Sequence, residues 1–171
     1  MPPTSQIDQL ADRIDRLTGA VGRAVAWLVV AMVLLQFAVV IMRYGLGIGS
    51  IWLQESILYA HAALFLLAAA WTLRDDGHVR IDVFYADASP RTKAWVNLLG
   101  ALLLLLPFMA VLAWYAWPYV VRSWAIYERS QEVSGLPFVY LLKSLLLLFA
   151  LLMALQGVAQ AIRAWVVLRW L

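Results

Sequence analysis

Two histidines, His61 and His78, are the only imidazoles in the chain, and there is no cysteine. The lack of cysteine excludes disulfides, thiol nucleophiles and thiolate metal sites. Haem held by paired histidines needs two of them at membrane depth, and only His61 falls inside an apolar run. A lone histidine there is either a ligand or, more commonly, a hydrogen-bonding contact to a neighbouring helix. There is no Gly-rich phosphate loop, no H-E-x-x-H and no G-x-S-x-G, so phosphate, zinc-hydrolase and serine-hydrolase chemistry lack their motifs. What remains are charged groups at the ends of apolar runs. Arg43 closes one run and Glu55 opens the next, with Trp52 and Gln54 beside them. A short hairpin brings Arg43 and Glu55 close enough to pair; the other reading is two exposed end-of-helix charges. Arg122, Glu128, Arg129 and Glu132 form a mixed-sign stretch, either a solvated surface or a place that receives another protein. Lys143 interrupts the start of the last run. It snorkels to the interface, or meets a lipid headgroup or partner helix.

The elements that position these groups follow from composition. The chain has 171 residues, 65% hydrophobic and 13% charged, against about 45–50% and about 25% for soluble domains. A soluble fold of this size cannot hide so much apolar surface, so the bilayer must act as part of the solvent. Nine Trp and seven Tyr fit that view, because amphipathic rings collect at headgroup level. The net charge of +3 reads as a topology signal rather than a nucleic-acid surface.

Four runs are free of charged residues: between Arg23 and Arg43, Glu55 and Arg74, Lys93 and Arg122, and Lys143 and Arg163. A membrane helix needs roughly 20 apolar residues. The fold expected is therefore an all-α integral membrane protein, one domain over 1–171, with spans at about 24–44, 52–73, 94–121 and 138–163. No Asp, Glu, Lys or Arg lies near the middle of any span, although ion pathways usually need ionisable groups at depth. Arg13, Arg16, Arg23, Arg74, Arg80, Arg91, Lys93, Arg163 and Arg169 fall on one side, and Arg43, Arg122, Arg129 and Lys143 on the other. The excess predicts that both termini and the central loop are cytoplasmic. The first run reads as a retained span rather than a cleaved signal.

Residues 5–22 predict an amphipathic helix. Ile7, Leu10, Ile14, Leu17 and Val21 recur at three- and four-residue steps, with Asp8, Asp12, Arg13, Asp15 and Arg16 on other faces. Ser5 is its expected cap. The helix either lies on the cytoplasmic leaflet or docks on a partner. In the central loop, Ile81, Phe84 and Tyr85 can lie along the membrane surface. Ser89 and Pro90 are placed to cap and open the third span. Pro107 and Pro118 predict a kink or an end to its regular part, and Pro137 predicts the start of the fourth helix.

Several pieces, taken in order, resemble the small membrane subunit (DctQ-like) of tripartite ATP-independent periplasmic (TRAP) transporters. They are Arg43 before W-L-Q-E at 52–55, G-H-V-R-I-D at 77–82 (Gly77, His78, Arg80 and Asp82 among them), S-P-R-T-K at 89–93, and E-V-S-G-L-P at 132–137 followed by Lys143. Gln54 departs from the paired acidic residues usual after that Trp. The match runs from Ala24 to nearly the end of the chain. The resemblance implies a non-enzymatic scaffold without cofactors. Its partners are a large membrane subunit holding the substrate and sodium sites, a periplasmic binding protein that visits transiently, and membrane lipids, with no nucleic acid. The transported solutes it implies are organic acids. In that role Arg43, Trp52, Gln54, Glu55 and His61 serve partner or helix-packing contacts. Trp27, Trp71, Trp95 and Lys143 anchor the chain at the interface, and Ala62, Ala63 and Ala68–Ala70 allow close helix packing. The reading from another class is a self-sufficient homo-oligomeric transporter or channel.

Overall fold

The computed structural model describes residues 6–78 and 85–170. Ser5, Arg80, Ile81, Asp82 and Phe84, singled out above, lie outside the described residues. Within them every regular element is helical: α1 (Gln6–Ala26), α2 (Leu28–Gly45), α3 (Ile51–Arg74), α4 (Pro90–Leu99), a π-helical stretch (Gly100–Leu105), α5 (Leu106–Ala125) and α6 (Val139–Trp170). Four helical runs are long and apolar enough to cross a membrane: Gln6–Gly45, Ile51–Arg74, Pro90–Ala125 and Val139–Trp170. One end of the bundle, the hairpin end, carries the 46–50 and 126–138 connections. The other, the terminal end, carries α1, residues 75–78 and 85–89, and the end of α6.

Local chemistry sets the boundaries. The Ser50 side chain accepts the Leu53 N–H and starts α3. Ser89 does the same for α4, taking the Thr92 N–H at 3.2 Å with Pro90 in the first turn, as the sequence predicts. At the end of α3, Asp76 takes a left-handed φ of 56°. The Gly77 N–H then reaches back to the Thr72 carbonyl at 2.8 Å. Tyr127 (φ 47°) closes α5 in the same way, with the Glu128 N–H on the Ser123 carbonyl at 3.0 Å. Both are Schellman closures that satisfy last-turn carbonyls.

The third span does not break at Pro107. The backbone loosens into π-helical turns, with the Leu106 N–H on the Ala101 carbonyl, and Pro107 occupies the first turn of α5. It lies inside the continuous run Pro90–Ala125, and its missing N–H falls where the hydrogen-bond ladder has already shifted from i−4 to i−5. Pro118 lies inside α5, which runs on to Ala125. The fourth helix begins at Val139, two residues after Pro137, and continues past Arg163 to Trp170. At about 1.5 Å per residue its 32 residues exceed the roughly 30 Å hydrocarbon core.

The centre of the molecule is α6, which packs on α1, α3, α4, the π segment and α5. Of its most apolar window 39% is buried inside the chain, against 6% for the first two runs. Its buried residues are mostly small: Ala150, Gly157, Ala159, Ala161 and Ala164, with Leu152, Met153 and Gln156. A side chain at Gly157 would stand 2.8 Å from Leu105, so the glycine sets how closely the π segment approaches.

The helix α1 follows the same logic and departs from the expected stripe. It packs on α3 and α6 of its own chain, burying Ala11, Ile14, Thr18, Gly19 and Gly22. Of the larger apolar residues, Ile14 turns inward, while Ile7, Leu10 and Leu17 are about half-exposed. Small residues win the inner face because they let the helix axes approach. At Gly22 a Cβ would fall 2.5 Å from the Trp71 ring, so the helix axes approach closely there. Trp71, expected as an interfacial anchor, is the surface on which α1 sits. Gly22→Val should therefore detach α1 from α3. The expected result is a fall in melting temperature in detergent and new protease cleavage within 6–23; an unchanged melt would contradict this packing.

Candidate functional site

The polar side chains gather at the two ends of the bundle. At the terminal end Asp15 is the junction. Its carboxylate accepts from Gln156 Nε2 at 2.9 Å and from Arg163, and its backbone carbonyl accepts from Arg74 Nη1 at 3.0 Å. Arg163 also reaches Asp12 at 3.0 Å. Thr18 (1% exposed) donates to Gln156 (3% exposed) at 2.9 Å. These bonds join α1 to α6 and α3. Arg74 also makes a two-point contact with Asp75 at 2.7 and 3.1 Å. That hydrogen bond holds the Asp75 carboxyl below its ordinary range. In the sequence the signals of this junction are the i, i+3 spacing of Asp12 and Asp15 and the two amides, Gln156 and Gln160, in an apolar run.

At the hairpin end Glu55 is the corresponding group, and its partner is not Arg43. Its carboxylate accepts from Ser130 Oγ and from the Leu136 N–H at 2.5 Å. Among the described residues no ion pair joins Arg43 to Glu55; Arg43 is exposed. The 126–138 connection is thereby a shaped turn rather than a loose charged loop. The Ser130 N–H meets the Leu136 carbonyl at 3.1 Å, the Val139 N–H meets the Glu128 carbonyl at 3.1 Å, and Leu136 is buried. Gly135 is required, because a Cβ there would lie 2.8 Å from the Glu55 carboxylate. The W-L-Q-E and E-V-S-G-L-P segments, far apart in sequence, thus touch through one carboxylate.

Lys143 turns back onto its own chain. Its ammonium meets Glu128 at 2.5 Å and lies 4.0 Å above the Tyr119 ring. Trp124 donates to Ser144 at 2.8 Å and packs edge-on against Tyr140, with ring centroids 4.7 Å apart.

The remaining expected residues divide clearly. Trp52, Gln54 and His61 are exposed, and His61 stacks beside Phe65 at 6.3 Å. Trp27 is 74% exposed at the joint between α1 and α2, and Trp95 is exposed on α4. Gly77 belongs to the closure of α3, and His78 is exposed. Tyr85, at the edge of the undescribed stretch, donates to Asn97 at 3.1 Å.

A helical membrane protein with its charged groups at the bundle ends, bonding helix to helix and helix to turn, belongs to the class of multi-pass subunits. Residues 32–167 match the family described as Tripartite ATP-independent periplasmic transporters, DctQ component. The chain belongs to that family, the small membrane subunit of TRAP transporters. No curated protein and no solved structure matches the chain.

Three measurements test these contacts. Glu55→Ala should release the 126–138 turn and raise the rate of trypsin cleavage after Arg129; an unchanged rate would remove the clamp. Gln156→Leu should cost about 1 kcal/mol in detergent melting, the scale of the two interhelical hydrogen bonds it makes in a membrane protein. The loss stays small because the Thr18 hydroxyl can donate to the Ile14 carbonyl, 3.1 Å away. Glu128 gives a pH signature. The Lys143 hydrogen bond holds its pKa below the ordinary 4.5. The resulting stabilisation is present above 4.5 and is lost as pH falls through the lowered folded value. The stability advantage of the wild type over Glu128→Gln should thus be full at neutral pH and be lost as the pH falls below the ordinary carboxylate range.

Proposed function

We propose that the chain is the scaffold subunit of a sodium-driven importer of organic acids, working with a large membrane subunit and a periplasmic binding protein. The complex resides in the bacterial inner membrane, with both termini of this chain cytoplasmic, and membrane lipids cover the apolar surface that no protein covers. The observation that carries this reading is that no Asp, Glu, Lys or Arg lies near the middle of a span, where His61 is the only histidine. The ion pairs of Arg74 with Asp75, Lys143 with Glu128, and Arg163 with Asp12 and Asp15 lie near bundle ends. A protein that couples solute to an ion gradient needs ionisable or ion-coordinating groups at depth. A scaffold needs the reverse: an apolar side surface, rigid helix contacts and polar clamps at the ends.

Orientation rests on the excess of Lys and Arg at the terminal end. That excess supports a periplasmic side for the Glu55-clamped turn, the side from which a binding protein would arrive. Val133 is fully exposed at that turn, and Arg122, Arg129 and Glu132 are exposed around it.

Affinity capture of the tagged chain from its native membrane in mild detergent tests the assignment. One stoichiometric large permease is the expected co-purifying protein, and the reconstituted pair with its binding protein should accumulate an organic acid only with a sodium gradient. Recovery of this chain alone as a defined homo-oligomer would instead support a self-sufficient transporter.

A further inference from the structure

At the terminal end a glycine of α1 makes room for an arginine of α3. Arg16, Gly19 and Arg23 recur on α1 at steps of three and four and share a face. Gly19 is the gap in that row, and the Arg74 guanidinium, coming from the end of α3, fills it. A Cβ at Gly19 would overlap that guanidinium and lie 3.3 Å from Arg23 Nη1. Beside the row is an open cleft of about 500 Å³, lined by Asp15, Arg16, Arg23, Arg74, Asp75 and Arg163.

The carboxylates nearby leave two of these arginines uncompensated. Asp75 is held by Arg74 at two points. Asp12 and Asp15 are both taken by Arg163. Arg16 donates to the Asp12 backbone carbonyl at 3.3 Å. Among the described residues neither Arg16 nor Arg23 forms an ion pair, and both are exposed. Four guanidiniums thus line the cleft against two carboxylates. Like charges so placed repel one another, and an anion between them relieves the repulsion. Phosphate suits guanidinium in particular, because the planar fork donates to two oxygens at once.

The apolar surface beside the cleft decides which kind of phosphate fits. Trp27, at the joint between α1 and α2, is four residues beyond Arg23 and exposed. Val30, Leu34, Phe37 and Ile41 follow on α2 at steps of three and four, all exposed. Val39, the buried residue of α2, lies on the opposite side of that helix. The stripe leads from the arginine row into the hydrocarbon, with an indole where headgroups begin. A phosphate that carries acyl chains covers the cleft and the stripe together. A free phosphate, or a carboxylate on another protein, covers the cleft alone.

We propose that the Arg16–Arg23–Arg74 cleft between α1 and the end of α3 binds the phosphodiester headgroup of an anionic phospholipid from the leaflet at the terminal end. Its acyl chains lie along the exposed stripe of α2. Bound there, the lipid bridges Arg23 of α1 and Arg74 of α3, adding an ionic link to the packing of Gly22 on Trp71. Basic pockets between membrane helices hold anionic headgroups by this chemistry. The site requires that the chain cross a bilayer and is independent of which solute a complex moves.

The full chain in non-ionic detergent is titrated with phosphatidylglycerol, with phosphatidylcholine of the same acyl chains, and with inorganic phosphate. Native mass spectrometry reads bound lipid, and the melting temperature is followed in parallel. Phosphatidylglycerol should bind and raise the melting temperature at concentrations where the other two do neither; the choline group would bring a further cation to the arginines. Arg16→Gln combined with Arg23→Gln should weaken phosphatidylglycerol binding on the order of thirtyfold, about fivefold per basic side chain at a membrane surface. Melting without lipid should not fall in that variant, because both side chains are exposed and neither is in an ion pair. Arg169→Gln removes the same charge from an exposed arginine outside the cleft and should leave binding unchanged. An equal loss per charge from Arg169→Gln would overturn the cleft in favour of general surface charge. Equal binding of the two lipids, expected if the cleft receives a carboxylate of another protein, would overturn the headgroup assignment. Stabilisation by inorganic phosphate equal to that by phosphatidylglycerol would overturn the role of the acyl chains and with it the lipid.

Discussion

Lipid gives two apolar helices no hydrophobic reason to leave it for each other. Everything in this fold follows from how α6 meets that constraint. Its buried surface is built from Ala150, Gly157, Ala159, Ala161 and Ala164, which bring backbones close enough for dispersion to accumulate over many weak contacts. Trp71 against Gly22 repeats the device between α3 and α1. Polar bonds then fix the arrangement that close approach permits. Asp15 is central to them: it binds Gln156 and Arg163 on α6 through its carboxylate and Arg74 on α3 through its carbonyl.

The two ends of the bundle solve the same problem with different chemistry. At the terminal end, charged and amide side chains cross between helices. At the hairpin end, a carboxylate on α3 captures backbone and hydroxyl donors of a turn, and Lys143 pins α6 to the same turn through Glu128. Both ends are held by polar bonds, and no Asp, Glu, Lys or Arg lies near the middle of the spans between them. The organisation agrees with membership of the DctQ component family.

Much of this was legible in the sequence, and the parts that were share a cause. The four apolar runs, the Ser89–Pro90 start of α4 and the return of the chain at Gly45–Ile51 are local consequences of hydropathy, capping and turn chemistry. The parts that were not legible depend on which neighbour a side chain finds. Glu55 was expected to have Arg43 within reach, because the hairpin is short, but the turn at 130–136 offers an N–H and a hydroxyl, and the carboxylate takes those. Lys143 had water, lipid and partners open to it and took Glu128 and Tyr119. Trp71 had the composition of an interface anchor, yet Gly22 opened a slot for it. In α1 the large apolar stripe was the visible signal, while the small residues beside it made the contact.

The sequence by itself determined that the chain is an all-helical membrane protein with four helices able to span, and which family its motifs resemble. These properties are set by each segment's exchange with lipid, water and its own backbone, and need no knowledge of the rest of the chain. Tertiary structure alone decided that α6 is the hub, that Asp15 and Gln156 bind α1 to it, that Pro107 is absorbed by π-helical turns, and that Glu55 closes onto a turn distant in sequence. Each of these is a choice among competing partners of similar strength. In a bilayer such choices are settled by how closely particular small residues let the helices approach, which appears only once the helices are packed.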